Sequence, residues 1–230
     1  MTGPARVQDI RSEHGFYLQN PQGDILIENV VAARLGRTFC QFTARAREGP
    51  PGIGQITVRD CKVEDVCIAP GDDYKGGSAF TIAGRLTGRI LFEKNTYRAG
   101  FQPALARLTN PGVPYGTGAF VAWMGGESVP NGELILRDNV FELAPGCGDR
   151  ALVAISGCES VELAGANRFV AGGEYPALDL EPITPSRPVP SPVGRLAIAA
   201  GTIVKGAVQR RNERVRVEDL RSVEERETDD

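Results

Sequence analysis

Asp72 and Asp73 stand side by side in the turn Gly71-Asp72-Asp73-Tyr74-Lys75, the sharpest local constellation of reactive side chains in the sequence. Two carboxylates this close can share a proton for general acid and base work, or hold a Ca²⁺ ion against an acidic sugar. Lys75, Arg98 and Arg107 supply positive charge that would face a uronate carboxylate. The same phrase also makes a good tight turn, because Asp bonds its own backbone there. Both readings stay open. Trp123, the single tryptophan, offers a ring on which a sugar can stack, or else covers the turn at Gly125-Gly126. His14 is the only histidine and lies near the N-terminus, so a His-rich metal site has no material. Cys40, Cys61, Cys67, Cys147 and Cys158 lack CxxC spacing, which points to reduced thiols in core and turn positions rather than a zinc site. No P-loop and no dinucleotide-binding glycine phrase is present, so nucleotide chemistry has no support.

The elements that must position these residues repeat along the chain. Ile25 to Asn29, Ile56 to Asp60, Ile90 to Lys94, Leu134 to Asp138, Val161 to Gly165 and Leu196 to Ala200 share one pattern, with apolar residues at positions one and three. A polar residue, often Asn or Asp, follows, and then a second apolar residue: Val63, Tyr97, Phe141, Phe169 or Ile203. A second family, Ala79-Phe-Thr-Ile, Ala119-Phe-Val-Ala, Ala151-Leu-Val-Ala and Ala177-Leu-Asp-Leu, precedes copies of the first, and Phe39 to Thr43 fills that role earlier. Period-2 alternation in both families predicts half-buried strands. The copies keep one phase over irregular spacings, as stacked coils with variable turns do.

In Gly132 to Phe141 (GELILRDNVF), Gly88 to Tyr97 (GRILFEKNTY) and Gly157 to Phe169 (GCESVELAGANRF), the chain resembles the right-handed parallel β-helix proteins of the pectate-lyase-like superfamily. The resemblance covers about Ile25 to Val208. It implies an all-β, right-handed, single-stranded parallel β-helix of about six coils over residues 25–208. Residues 1–24 then form an N-terminal cap or partial coil, and residues 209–230 a charged cap or tail. From Arg210 to Asp230, 14 of 21 residues are charged, which suits a short capping element followed by a solvated acidic end from about Glu224. The family's lyases combine acidic Ca²⁺ ligands with an arginine base, and Asp72, Asp73 and Arg98 are the matching residue types here. Its hydrolases use Asn-Thr-Asp, Asp-Asp, Gly-His-Gly and Arg-Ile-Lys phrases; this sequence has Asp72-Asp73 and lacks the last two.

Stacking predicts columns on the outer faces. Fourth positions of the first family give Glu28, Arg59, Glu93, Arg137, Ala164 and Ala199, an alternating ladder that sets register. Second positions give Leu26, Thr57, Leu91, Ile135, Glu162 and Ala197, whose aliphatics need a cover from the chain itself or from a second copy docking on Leu26, Leu91 and Ile135. In the second family, Thr81, Val121, Val153 and Asp179 face outward, with Trp123 and Ile155 one step on. The turns Glu64 to Gly77 and Arg98 to Gly116 leave successive coils and can wall a groove.

Composition trims the function classes. The 230 residues include 28 Gly and 16 Pro, and the net charge of −3 leaves no footprint for nucleic acid. No run of apolar residues is long enough to cross a membrane, and Met1 to Ile10 carries no secretory pattern, which assigns the cytoplasm by default. Two readings follow. One is a non-catalytic scaffold or carbohydrate-binding module, without a cofactor. The other is a lyase, epimerase or hydrolase on an acidic polysaccharide, with Asp72, Asp73 and Arg98 catalytic and Lys75, Arg107 and Trp123 binding substrate.

Overall fold

The computed structural model describes residues 14–44, 52–68, 78–106, 117–123, 130–180, 193–210 and 216–220. Its strands form three sheets. The first contains β1 (Phe16–Gln19), β4 (Cys40–Ala44), β7 (Phe80–Gly84), β10 (Phe120–Trp123), β13 (Val153–Ile155), β16 (Leu178–Leu180) and β19 (Val208–Arg210). The second contains β2 (Ile25–Glu28), β5 (Ile56–Arg59), β8 (Ile90–Glu93), β11 (Asn131–Arg137), β14 (Cys158–Ala164), β17 (Arg195–Ile198) and β20 (Arg216–Asp219). The third contains β3 (Val31–Ala33), β6 (Lys62–Glu64), β9 (Thr96–Ala99), β12 (Val140–Leu143), β15 (Arg168–Val170) and β18 (Ile203–Lys205). Pro103–Ala106 adds one helical turn. Each strand pairs in parallel with the strand three places later, so the chain visits three sheets in order and returns beside its own start. That arrangement is a stacked, all-parallel solenoid, consistent with a parallel β-helix.

Alternation builds the second sheet as the repeats predict. Ile25, Ile56, Ile90, Leu134, Val161 and Leu196 stand in register, and two residues on stand Ile27, Val58, Phe92, Leu136, Leu163 and Ile198. Members of the second row are at most 6% exposed. Each such aliphatic or aromatic side chain contributes about 1.5–3 kcal/mol on burial. Rings from the three sheets meet along the axis. Phe141 stacks on Phe169 at 5.5 Å, and Phe92 meets Phe120 edge-on at 5.0 Å between centroids.

The first sheet departs from the expected register at one strand. Phe120 lies opposite Val153, not Leu152, so Val153 and Ile155 point into the core and Ala154 takes the outward place between Val121 and Asp179. In Ala151-Leu-Val-Ala-Ile both phases contain an aliphatic, so the pattern does not choose between them. Packing does, because a one-residue slip would move Val153 and Ile155 to the outer face.

The corner between the second and third sheets is tight and repeated. Asn29, Asp60, Lys94, Asp138 and Gly165 each adopt positive φ, between 53° and 66°. This left-handed region suits Asn, Asp and Gly best. The reversal drives a following residue inward, and Cys61, Asn95, Asn139, Asn167 and Thr202 are all fully buried there. Buried amides need partners, and these find them in one another. Asn95 N and Nδ2 donate to Asn139 Oδ1 at 3.0 and 3.2 Å, and Asn139 N and Nδ2 donate to Asn167 Oδ1 at the same distances. The side-chain amides also donate to Val58 O, Phe92 O and Leu136 O at 2.8–2.9 Å. Asn95 Oδ1 accepts from Cys61 N at 3.1 Å. An internal amide ladder therefore ties consecutive coils together.

The outward aliphatic column is unevenly covered. Leu26 is 54% exposed, whereas Ile135 is 1% exposed although it does not belong to the core cluster. Within a single chain Ile135 is thus already shielded, although Glu133 on the same face of β11 stays exposed.

Candidate functional site

Of the residues singled out for chemistry, Asp72, Asp73, Lys75 and Arg107 lie outside the described residues. Trp123 ends β10 opposite Ala83, and its side chain is likewise outside the description. Arg98 is described, and it leads to the third sheet.

That sheet's short strands put alternate residues outward. One column reads Val31, Lys62, Thr96, Val140, Arg168, Ile203; the next reads Ala33, Glu64, Arg98, Glu142, Val170, Lys205. Four cations face two carboxylates, so this surface is net positive on a chain whose total charge is −3. Glu142 sits between two arginines: Arg168 Nε donates to its Oε1 at 2.9 Å, and Arg98 Nε lies 3.5 Å from its Oε2. The Arg98 guanidinium also covers the ring of Phe101, 4.3 Å from its centroid. Charge and π-face together hold Arg98 in place.

The backbone behind Arg98 is fixed by a buried carboxylate. Asp65 N donates to Arg98 O at 3.1 Å, and Gly100 N donates to Asp65 Oδ1 at 2.9 Å. Gly100 has φ +84°, and a Cβ there would come within 2.6 Å of Cys147 Sγ. Burial raises the Cys147 thiol above its usual range, with Asp65 adding to it. Burial pushes the Cys67 thiol up to about 12. Neither sulfur is a thiolate near neutral pH, so neither is an activated nucleophile.

The other two faces differ. Outward residues of the first sheet, Tyr17, Gln41, Thr81, Val121, Ala154, Asp179 and Gln209, include one carboxylate and no cation. Thr81 and Val121 are nearly inaccessible, at 2% and 5% exposure. On the second sheet the predicted ladder forms in pairs: Arg59 NH2 reaches Glu28 Oε2 at 2.6 Å, and Arg137 NH1 reaches Glu93 Oε1 at 3.3 Å. Toward its C-terminal end that face holds a groove of about 260 Å³ lined by Glu133, Glu162, Arg195, Ala197, Glu218 and Leu220 among others. There Arg195 pairs with Glu218 at 3.1 Å, and Arg89 with Glu133 at 3.3 Å.

Among the described residues, no cluster of three or more His, Cys, Asp or Glu could hold a metal ion. No helix among them is long and apolar enough to cross a membrane. Sequence reasoning missed Glu142 and Arg168. Their signal was Phe141 and Phe169 one place away, which fix the faces on which these charges emerge. No protein-family model matches the chain, and no curated protein or solved structure matches it. The reading of the site therefore rests on its own geometry.

Proposed function

We propose that the protein is a non-catalytic β-helical scaffold that binds carbohydrate, its coil right-handed with about six turns in the manner of the pectate-lyase-like superfamily. The strong preference of parallel β crossovers for the right hand supports that part of the reading. Asn139 and Asn167 recur in GELILRDNVF and GCESVELAGANRF, two of the phrases that carry the resemblance.

The observation that carries the non-catalytic reading is the pairing of the outward charges from coil to coil. Glu28 with Arg59, Glu93 with Arg137, Arg98 and Arg168 with Glu142, and Arg195 with Glu218 all engage a neighbouring coil. A base or acid in catalysis must be free to exchange a proton with substrate. Carboxylates paired with an arginine of the next coil serve register instead.

The test is incubation of the full chain with neutral and uronate-bearing polysaccharides, with and without Ca²⁺. Unsaturated sugar would be followed by ultraviolet absorbance, new reducing ends by a colour reaction, and binding by retardation in polysaccharide-loaded gels. Retardation without either product is the expected result. Product formation abolished by D72N/D73N would replace this reading with the enzymatic one, and neither retardation nor product would remove carbohydrate from it.

A further inference from the structure

The outer face of the second sheet is unevenly filled. At its two outward columns β11 presents Ile135 and Arg137, β14 presents Glu162 and Ala164, and β17 presents Ala197, with Ala199 just past its end. Of the first-family copies, only this one has alanine at both places. On its far side β20 raises Glu218, followed by Leu220. The missing side-chain bulk leaves a trough along β17, between the rows of β14 and β20. It is two strand spacings wide, about 10 Å, and about 13 Å long from Arg195 to Ala199. This is the groove of about 260 Å³, and every residue that lines it is among the described ones.

Charge in the trough does not balance. Arg195 pairs with Glu218 at 3.1 Å, and Glu133 with Arg89 at 3.3 Å. Arg137, diagonal to Glu162 across the sheet, is engaged by Glu93 at 3.3 Å. Glu162 is exposed beside Ala197 and has no ion pair or hydrogen bond among the described residues. In the adjoining column the Ser160 hydroxyl stands between Glu133 and Arg195. A ligand that fits must bring a positive charge to Glu162 and lay an apolar face on the methyl groups of Ala197 and Ala199. A uronate meets the second demand and fails the first, because its carboxylate would face Glu162. A sugar ring that bears a free amine meets both. Its hydroxyls find Ser160 and the Arg195–Glu218 pair, and its C–H face finds the alanines and Leu220.

We propose, on the carbohydrate-binding reading above, that the trough along β17 is a sugar subsite that takes an amino sugar with a free amine, its ammonium against Glu162 and its ring on Ala197 and Ala199. The volume lies just below the roughly 300–1,000 Å³ of ordinary small-molecule pockets, which suits single rings rather than a polymer-wide cleft. Glu162 then selects amine-bearing polymers over uronate-bearing ones.

The full chain, isotopically labelled for NMR, is titrated with glucosamine hexasaccharide and with its N-acetylated counterpart, which has the same rings and no charge. Amide shifts confined to β14, β17 and β20 are expected. The amine form should bind roughly 3- to 5-fold more tightly, the scale of one exposed ion pair. E162Q should erase that preference and leave the acetylated form unaffected, whereas A197W, which fills the trough, should abolish the shifts from both. E174Q removes the same charge from an exposed site elsewhere and should change neither affinity. Equal affinity for the two sugars, a preference that survives E162Q, or shifts on another face would overturn the proposal. Oligolysine moving these amides where the hexasaccharide does not would overturn it too, and would make a basic peptide the occupant. If neutral or uronate polysaccharides retard the chain in gels while these amides stay still under both hexasaccharides, the subsite falls and the carbohydrate reading stands. If no saccharide moves either readout, both fall.

Discussion

Two polar ladders run along this solenoid, one inside and one outside, with similar geometry and different physics. Asn95, Asn139 and Asn167 pass hydrogen bonds from coil to coil in the dry corner between the second and third sheets. Glu28 with Arg59 and Glu93 with Arg137 also link coil to coil, one corner residue away but in water. Both recur at the strand spacing, and both specify register. The inner ladder cannot be broken without stranding buried donors and acceptors, whereas water replaces the partners of the outer one. Cohesion therefore resides in neutral amides, which leaves the surface charges open to other uses.

The largest effect that tests this contrast is N139L. It strips Asn95 N of its side-chain acceptor and Phe92 O of its side-chain donor in a fully buried corner, while Asn95 Nδ2 keeps only Val58 O and Asn167 Oδ1 keeps only the backbone N–H of residue 139. At roughly 1–3 kcal/mol per stranded group, partly relieved by relaxation, the expected loss is about 3–5 kcal/mol in denaturant unfolding. A loss under about 1 kcal/mol would mean the amide ladder is ornamental. A smaller interior step is Y97F. The hydroxyl donates to Thr117 O at 3.1 Å in a fully buried position, so its removal should cost about 1–2 kcal/mol.

The outer ladder should respond weakly. In a double-mutant cycle on Glu28 and Arg59, both substituted by Ala, the coupling is expected at about 0.2–1 kcal/mol and should shrink in high salt. A coupling equal to the N139L loss would erase the distinction between the two ladders.

These ladders were not equally legible. Alternation in ILIE, ITVR and ILFE gives the outer ladder directly, since the apolar residues at positions one and three take the core face and leave the charged residue at position four outward. The Asn after each strand is visible too, but its direction is not. It turns inward only because a residue one or two places before it flips to positive φ, and backbone sign is not written in a polar residue's type. The third sheet was hidden for a related reason: its strands are three or four residues long and begin just after that flip, so they read as the tail of the preceding strand. The partners of Arg98 were out of reach because insertions of different length separate the coils. Glu142 lies 44 residues away and Arg168 70 away, so no fixed period brings the three together. Asp72 and Asp73 stood out by adjacency alone, which is legible in any sequence and carries no information about which face a turn presents.

The corner contains one residue that the comparison marks as out of place, and it carries the smallest prediction. Asn29, Asp60, Asp138 and Gly165 take the left-handed turn with side chains suited to it, whereas Lys94 takes it at φ 53°. A long side chain there keeps its steric penalty without the local hydrogen bonding that Asn or Asp supplies. Lys94 has no role in the amide ladder beyond its position, because its N–H donates to Arg137 O at 2.9 Å through backbone that any residue retains. K94N should therefore stabilise the protein, by about 0.5–1 kcal/mol, with the midpoint of unfolding raised and the slope unchanged. A lower midpoint would show that the lysine's charge at this corner outweighs the strain of its backbone, and the outer surface would then carry more of the fold than the pairing energies imply.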